Sequence, residues 1–379
     1  MTVGPRFRLS FLNAAIFAVI GLYMPFFPIW LESRGLAPAT IGWILAAPIV
    51  ARVVVTAPLL GLTERGLDPR LLLALAQGAL VALFLIILGM QGAIAIGLVV
   101  VLIAIAQAPL VPTADLLANE AVRADGRLSY GGIRIWGSLG FLACSLGGGA
   151  LLSGAPVDAA VIAMAALAAV GALASLALPP MRRQVAEAAP APAAAPRALL
   201  WLIAAGAAIQ ASHGALYAFG SIAWRGQGFS EAAIGVFWAL GVVAEILLFW
   251  LVGRFASGEA RAVMLIVAGA AGAAIRFAAL AFAPGLAATL LIQALHGLSF
   301  GATHLGMMAA LAALAPPGGR GKAQGVFAAS TALAMALATV ASGRIYPEAG
   351  PLVFLAMTPL ALAGALCALR ARSLMGRPG

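Results

Sequence analysis

Apolar residues fill this chain in about a dozen blocks, each separated from the next by turn residues and charges. Each block holds roughly 20 to 30 residues, and an α-helix of that length crosses the hydrocarbon core of a bilayer. The pattern therefore predicts an all-α membrane protein. Its twelve predicted transmembrane helices lie at residues 7–31, 38–62, 69–89, 93–118, 129–152, 157–178, 198–224, 230–254, 260–282, 284–313, 320–344 and 350–371.

Composition excludes the main soluble alternatives. Only 9% of the residues are charged and the mean hydropathy is +1.08, whereas a soluble domain carries about 25% charged residues. The net charge of +10 does not indicate nucleic-acid binding, because the basic residues are scattered singly and form no patch. The two cysteines lie in apolar blocks, and neither a CxxC nor an HExxH motif occurs, so we expect no metal and no cofactor.

The basic residues predict the orientation in the membrane. An even number of spans places both termini on one side, and sixteen of the 22 Lys and Arg residues fall on that side. Three lie on the other side (Arg34, Arg225 and Arg344) and three lie within spans (Arg52, Arg134 and Arg276). The positive-inside rule then assigns both termini to the cytoplasm. We expect a multi-pass protein of the bacterial inner (plasma) membrane that acts as a monomer.

A weak internal repeat predicts two pseudo-symmetric six-helix halves, at residues 1–178 and 198–379. Residues 179–197, rich in Ala and Pro, form the predicted cytoplasmic linker. When Ile41-Gly42 is aligned with Ile234-Gly235, Arg52 falls opposite Glu245. Chance similarity between apolar helices is the alternative explanation. Parallel repeats of this kind are typical of secondary transporters with a binding site between the halves.

Several longer strings resemble one transporter family. The strings APLVPTADLLANE (108–120), YGGIRIWGSLGF (130–141) and IQALHGLSFGATHL (292–305) are similar to the phenylpropionate permease family of the major facilitator superfamily. The segment GLTERGLDPR (61–70) resembles the degenerate signature of that superfamily. The resemblance implies the major facilitator fold and proton-linked uptake, with aromatic carboxylates such as 3-phenylpropionate as the type substrate. Related families that share the Tyr-Gly…Arg…Trp-Gly-Ser string carry oligosaccharides and nucleosides.

Ionisable residues inside spans are costly and mark candidate functional positions. Arg52 lies near the middle of the second span, where its guanidinium fork suits a substrate carboxylate; a permanent structural ion pair is the alternative. Glu245 is its counterpart in the other half and a candidate proton-coupling or gating group. The alternative for Glu245 is a structural contact with a neighbouring helix, for example through Arg276.

Asp115 and Arg134 lie at similar depth near the cytoplasmic ends of consecutive spans, so we expect them to pair. The pair is either a structural clasp or a cytoplasmic gate that opens when Asp115 is protonated. His304 on the tenth span is a further candidate for proton coupling or gating, because histidine titrates near neutral pH. A structural hydrogen-bonding role is the alternative for every intramembrane histidine of this chain.

Polar and aromatic residues on the spans predict a substrate-binding lining. In the major facilitator fold the first, fourth, seventh and tenth spans surround the cavity. The predicted substrate-binding residues beside Arg52 are Asn13, Gln107, Trp136, Gln210, His213, Trp238 and His296. For the two tryptophans, anchoring at the membrane interface is the alternative.

Taken together, these features predict a proton-coupled symporter for a small organic anion, an aromatic carboxylate, working by alternating access. The proton is the expected coupling ion, and the expected partners are a small-molecule substrate and the lipid bilayer. One alternative of the same fold is a proton-coupled exporter of drugs or metabolites; another is a sugar or nucleoside symporter. A polytopic membrane enzyme would need a nucleophile–base or metal constellation, which the sequence does not contain.

Overall fold

The computed structural model describes residues 4–180, 195–316 and 318–375, and within these ranges the chain is helical and without β-strands. The α-helices are α1 Pro5–Ser33, α2 Pro38–Glu64, α3 Pro69–Leu88, α4 Ala93–Gln107, α5 Leu110–Ala124, α6 Tyr130–Leu152, α7 Asp158–Leu176, α8 Arg197–Ala211, α9 Gly214–Gly226, α10 Glu231–Val252, α11 Glu259–Leu280, α12 Leu286–Ala294, α13 Thr303–Leu314, α14 Arg320–Ala349 and α15 Thr358–Met375.

These helices account for twelve membrane spans. Eleven helical segments of the described chain are long and apolar enough to cross a bilayer. One of them, Arg320–Met375, holds 56 residues and would be about 84 Å long at 1.5 Å per residue, far more than one crossing needs. A 3₁₀ segment, Gly350–Met357, interrupts it, and Gly350 has a φ of +53°. The segment therefore supplies two spans, and the predicted all-α fold is confirmed.

The chain divides into two compact units. One comprises Met1–Ala186 and Gly228–Ala239, and the other comprises Glu187–Gln227 and Leu240–Gly379. Most of the predicted linker, residues 181–194, lies outside the described residues. Helix α8 begins at Arg197, directly after Pro196, because proline fixes a φ compatible with a helix start.

In the first unit, α1 is the buried central helix. It packs along α6 and α7, and fully buried side chains of α1 include Leu12, Phe26 and Trp30. A side chain on Gly140 of α6 would overlap the backbone of Ala14, so the absence of a Cβ allows the two helices to touch. At the end of α1, Trp30 Nε1 donates to Asp158 Oδ1 at 2.8 Å, and Arg34 pairs with the same carboxylate.

In the second unit, α8 has the corresponding buried position. Helices α14 and α15 both pack against it, and α11 packs against α13 and α15. The large apolar side chains that are fully buried in this unit include Phe219 of α9, Phe277 of α11 and Phe354 of the 3₁₀ segment. Burial of such side chains stabilises the unit only by close packing, since the surrounding lipid is as apolar as the core.

Candidate functional site

Three spans are interrupted within their length, each beside polar residues. The fourth divides into α4 and α5 next to Gln107, where Pro109 has no amide hydrogen to donate to the preceding turn. The seventh divides into α8 and α9 at His213. The tenth passes through a π-helix, Gly297–Ala302, between α12 and α13. Such π-helical turns occur frequently at functional sites.

Arg276 of α11 is the centre of a buried polar cluster in the second unit. Its side chain is 2% exposed. Nη1 lies 2.9 Å from His296 Nδ1 and 3.2 Å from Ser299 Oγ, and Nη2 donates to Gln293 Oε1. A guanidinium has only donors, so each of these three partners must accept. The α11 helix and the π-helical region of the tenth span are therefore tied together by one cation.

The cluster continues from Ser299 to His213, which is fully buried. His213 Nδ1 lies 3.2 Å from the carbonyl oxygen of Ile209, and its Nε2 lies 3.1 Å from Ser299 Oγ. A carbonyl only accepts, so Nδ1 carries a hydrogen. The nearby Arg276 cation disfavours a second positive charge, so Nε2 accepts from the Ser299 hydroxyl. A chain of hydrogen bonds, each donated toward the next residue, thus runs from Arg276 through Ser299 and His213 to the carbonyl oxygen of Ile209.

His296 connects the cluster to Glu245. Because Arg276 donates to His296 Nδ1, the hydrogen of the neutral ring is on Nε2. That nitrogen lies 3.8 Å from Glu245 Oε2. The side chains of His296 and Glu245 are 12% and 23% exposed, so this end of the cluster is the part that solvent or substrate can reach. Glu245, His296 and Arg276 therefore form one row from a half-buried carboxylate to a buried cation.

A close backbone approach positions Glu245 beside His296. A Cβ on Gly297 would lie 2.7 Å from the carbonyl oxygen of Ala244, the residue before Glu245. Real Cβ atoms do not approach a backbone oxygen so closely, so only glycine fits here. The π-helix begins at this glycine, which places the helical irregularity at the contact with α10.

Aromatic rings extend from this cluster along the tenth span. His296 stacks on Phe300 with ring centroids 5.2 Å apart, and Phe300 stacks on His304 at 6.1 Å. His304 also contacts Phe249 of α10 at 6.2 Å. His296, Phe300 and His304 follow one another at intervals of four residues on the tenth span, and the structure places their rings in one stack.

Six buried side-chain polar atoms in the second unit lack a hydrogen-bond partner among the described residues. Three of them are Arg276 Nε, Gln293 Nε2 and Gln210 Oε1. Buried polar groups are normally paired, so unsatisfied atoms on Arg276 and Gln293 leave hydrogen-bonding capacity within the cluster. His213, Gln210 and Gln293 are themselves almost fully buried.

In the first unit, Asp115 and Arg134 lie at ion-pair distance. Arg134 Nε is 3.9 Å from Asp115 Oδ1, and the Tyr130 hydroxyl donates to the same oxygen at 2.9 Å. The Arg134 guanidinium also lies 4.0 Å above the ring of Phe17 on α1, a cation–π contact. A Cβ on Gly137 would overlap both groups of that contact. The pair thus joins α5, α6 and α1.

A second ion pair occupies the short loop next to this cluster. Arg127 donates to Asp125 through its side chain and its backbone N–H. These hydrogen bonds lower the pKa of Asp125. The carboxylate of this exposed loop is therefore held ionised.

Arg52 differs from the other arginines that lie within spans. Its side chain is exposed, and within the described part of the chain its guanidinium makes neither a hydrogen bond nor an ion pair. Tyr23 of α1 lies close enough to interact with it electrostatically. The Tyr23 ring is itself stacked on Phe27 with centroids 4.4 Å apart. An exposed guanidinium without an ion pair can accept a carboxylate with little rearrangement.

The remaining predicted residues lie in different surroundings. Asn13 is 1% exposed; its Nδ2 donates to Leu9 O at 3.0 Å, and its Oδ1 has no partner among the described residues. Gln107 is half-buried at the end of α4. Trp136 is 46% exposed, whereas Trp238 is only 8% exposed. Trp238 therefore belongs to the packed interior of its unit, and Trp136 to its surface.

Four participants are missing from the predicted site residues: Arg276, Gln293, Ser299 and Tyr130. Ser299 connects Arg276 to His213, and Tyr130 donates a hydrogen bond to Asp115. Serine is common in transmembrane helices, so Ser299 has no distinguishing pattern apart from its position three residues after His296. The sequence suggests Arg276 only as a contact of Glu245, and no local pattern indicates its hydrogen bonds to the tenth span.

Comparison with known proteins places these features in a family. Residues 7–356 match the model of the MFS_1 like family. The chain is 31% identical over 361 residues to the probable 3-phenylpropionic acid transporter of Escherichia coli (strain K12), covering 90% of this chain and 91% of the relative. It is also 34% identical over 128 residues to the maltose permease of Geobacillus stearothermophilus, about a third of each chain.

The fold also matches a solved transporter. The crystal structure of the nucleoside transporter NupG superposes with a TM-score of 0.79, covering 99% of this chain and 100% of that one. The two sequences are 17% identical, so the likeness concerns the fold alone.

Proposed function

The chain belongs to the MFS_1-like family of membrane transporters, and on that basis we propose that it carries a small organic carboxylate, an aromatic acid, together with a proton. It is a multi-pass transporter and not an enzyme. The proposed cycle is alternating access, in which the substrate site opens to one side of the membrane at a time.

The observation that carries the proposal is the direction of the hydrogen bonds at His296. Arg276 occupies Nδ1, so His296 cannot take a second proton there unless that contact breaks. Its Nε2–H faces Glu245, which is an acceptor when ionised. Glu245 is therefore the proposed group that gains and loses the proton, and the neutral ring of His296 lies beside it. This arrangement supports Glu245 as the coupling carboxylate, with Arg276 as a positioning residue.

Arg52 is the proposed carboxylate-binding residue. Its guanidinium is exposed and makes no ion pair within the described residues, and a fork of donors matches a carboxylate bidentately. An aromatic acid is favoured because the relative that matches 90% of the chain is named for 3-phenylpropionic acid. Asn13, Gln107, Gln210, His213, His296, Trp136 and Trp238 remain proposed contributors to substrate binding.

The Asp115–Arg134 pair is proposed as a gate, with Tyr130 as a further member. The pair and the Tyr130 bond join α5 to α6, so a proton on Asp115 would weaken both the ion pair and the tyrosine contact. His304 is proposed as a secondary gating group, since its ring continues the stack that begins at His296.

The proposed setting is the bacterial inner membrane, with both termini in the cytoplasm and a monomer as the working unit. The distribution of basic residues supports this orientation. Single cysteines at Ala155 and Gly285 should react with an impermeant maleimide added from outside, and one at Ala191 should not. Labelling at residue 191 from outside would contradict the orientation.

Uptake into proteoliposomes tests the proposed function directly. With an acidic exterior, radiolabelled 3-phenylpropionate should accumulate above its equilibrium level, and a protonophore should abolish the accumulation. Uridine and maltose serve as the competing substrate classes. Accumulation of either one, with no uptake of the carboxylate, would contradict the proposed substrate. Carboxylate uptake that ignores the pH gradient would contradict proton coupling.

A further inference from the structure

An open apolar groove lies on the second unit, away from the Arg276 cluster. It has a volume of ≈ 400 Å³ and is lined by the Ala256–Gly258 segment that follows α10 and by one face of α13. Its walls are almost wholly apolar, and Ser257 is the one lining residue with a polar side chain. The volume falls within the range of about 300–1,000 Å³ that is typical of small-molecule sites.

The α13 wall is a single helical stripe of small or flexible side chains. The residues of this wall are Leu305, Met308, Ala309, Ala312 and Ala313. Their spacing of i, i+3, i+4, i+7 and i+8 places them on one face of the helix. The stripe is about 12 Å long at 1.5 Å per residue, and it runs from within the span to the end of α13 at Leu314. The groove is therefore elongated along the direction of a lipid tail.

Three arginines contact the groove wall or the residue next to it. Arg320 Nη2 donates to the carbonyl oxygen of Ala312, a lining residue, at 2.7 Å. Arg261 Nη1 donates to Phe255 O at 3.2 Å, next to lining residue Ala256, and Arg254 lies over the Phe255 ring. All three arginines are exposed. Glu259 is the acidic residue of this segment, so basic groups outnumber acidic ones.

We propose that this groove is a binding site for an anionic phospholipid, with an acyl chain along the α13 stripe and the phosphate at the end formed by Arg254, Arg261 and Arg320. An apolar channel lined by small side chains accommodates an alkyl chain by close packing, since the bilayer is as apolar as the groove. Basic groups at the membrane surface recognise anionic headgroups. Ser257 adds a hydroxyl to the lining of the groove.

The lipid differs from the transported substrate in both place and chemistry. The groove shares no lining residue with the Arg276 cluster, and a water-soluble carboxylate needs no 12 Å alkyl channel. By the positive-inside orientation, the groove opens toward the cytoplasmic leaflet, the one in which anionic headgroups meet juxtamembrane arginines. The site would fasten the end of α13 to the α10–α11 connection, because the lipid would contact both.

Native mass spectrometry of the purified full chain tests the site. Dioleoyl phosphatidylglycerol and dioleoyl phosphatidylcholine are supplied in equal amounts to delipidated protein in neutral detergent. Wild-type protein should retain at least fivefold more phosphatidylglycerol. The double variant Arg261→Gln/Arg320→Gln should lose that preference while its retention of phosphatidylcholine is unchanged. Ala309→Phe, which fills the groove, should lower the retention of both lipids at least fivefold.

Two control variants test whether the effects are specific to the groove or follow from any loss of positive charge or any added side-chain volume. Arg123→Gln/Arg370→Gln removes two exposed arginines elsewhere, and Ala79→Phe adds the same bulk to an exposed position of α3; both should behave as wild type. Equal phosphatidylglycerol retention by wild type and Arg261→Gln/Arg320→Gln would overturn the proposal, even if Ala309→Phe fails to fold. Unchanged retention of both lipids by folded Ala309→Phe would also overturn it, because binding would then need no acyl chain in the groove.

Discussion

Arg276 donates a hydrogen bond to Nδ1 of His296 at 2.9 Å, and this contact determines which nitrogen of the imidazole carries the hydrogen. The opposite nitrogen, Nε2, lies 3.8 Å from Glu245 Oε2. A buried arginine can thus set the hydrogen-bonding role of the imidazole that lies beside the Glu245 carboxylate. In a buried cluster such second contacts orient the groups that exchange protons, just as they orient metal ligands.

Arg276→Gln should change the pH dependence of uptake, not only its rate. Without the guanidinium, His296 Nδ1 is free to bind a proton, so His296 itself becomes titratable. The pH profile of 3-phenylpropionate uptake in proteoliposomes should gain a step that disappears in Arg276→Gln/His296→Gln. Identical profiles for the single and double variants would show that Arg276 does not act through His296.

Arg276→Lys is the matched control for charge. Lysine keeps the positive charge but presents a point donor instead of a planar fork, so it cannot bind Gln293, His296 and Ser299 together as the guanidinium does. Uptake should fall between that of wild type and Arg276→Gln. Each buried partner left without a hydrogen bond lowers the free energy of unfolding by about 1–3 kcal/mol. Both variants should therefore melt at a lower temperature than wild type.

Arg52→Ala should weaken binding of the carboxylate without unfolding the protein. A charge-assisted hydrogen bond contributes about 1.5–3 kcal/mol, which corresponds to a loss of roughly tenfold or more in affinity. The side chain is exposed and makes no ion pair within the described residues, so the free energy of unfolding should change by less than about 0.5 kcal/mol. Isothermal titration with 3-phenylpropionate measures the affinity. Unchanged affinity would remove Arg52 from the binding site.

Asp115→Asn and Tyr130→Phe should separate the two contacts of the proposed gate. Asp115→Asn abolishes the charge that faces Arg134, whereas Tyr130→Phe removes only one hydrogen bond, a contribution of about 1 kcal/mol. Both variants should slow gradient-driven uptake and substrate exchange together, with the larger effect in Asp115→Asn. If Asp115→Asn shows wild-type rates of both uptake and exchange, the Asp115–Arg134 pair is a purely structural contact.

Gly297→Ala should destabilise the second unit. The new Cβ would lie 2.7 Å from the Ala244 carbonyl oxygen, so α10 must move away from the π-helix at a cost of about 1–3 kcal/mol. Gly147→Ala in α6 is the matched control, because a Cβ there meets no atom within 4 Å and alanine favours the helix. Thermal melting in detergent should separate the two variants. Equal melting temperatures would mean that the close approach of Gly297 to Ala244 does not affect the stability of the protein.

The sequence predicts the spans well because length and apolar character alone define a membrane helix. The observed helix ends lie within a few residues of the predicted ends for most spans. The approach of Asp115 to Arg134 was also predictable, because the two residues lie at similar depth on consecutive spans. The break of the fourth span follows from Pro109, which removes a backbone donor.

The composition of the Arg276 cluster could not be predicted in the same way. Which faces of α11 and the tenth span meet depends on how the helices rotate and pack, and the apolar pattern is nearly continuous around both. The π-helix begins at Gly297, where the chain approaches Ala244, and this tertiary contact has no local motif. Ser299 is placed by that irregular turn, so its role appears only in the folded chain.

Glu245→Gln tests proton coupling most directly, since glutamine keeps the shape of the side chain but cannot ionise. If Glu245 carries the proton, the variant should lose uptake against a gradient, because no proton is released to drive the return of the empty carrier. Exchange of labelled for unlabelled substrate should persist, because exchange needs no release of the proton. Both fluxes are measured on the same proteoliposomes with 3-phenylpropionate.

The comparison with Asp115→Asn makes the Glu245 result specific. A gate residue should slow both fluxes together, whereas a coupling residue should remove only the uphill one. The geometry gives the reason for expecting the difference at Glu245: its carboxylate is half-buried and faces a neutral imidazole, so adding a proton changes its charge without disturbing Arg276. Uphill uptake that survives in Glu245→Gln would exclude Glu245, and His296 and His304 would then be the coupling candidates.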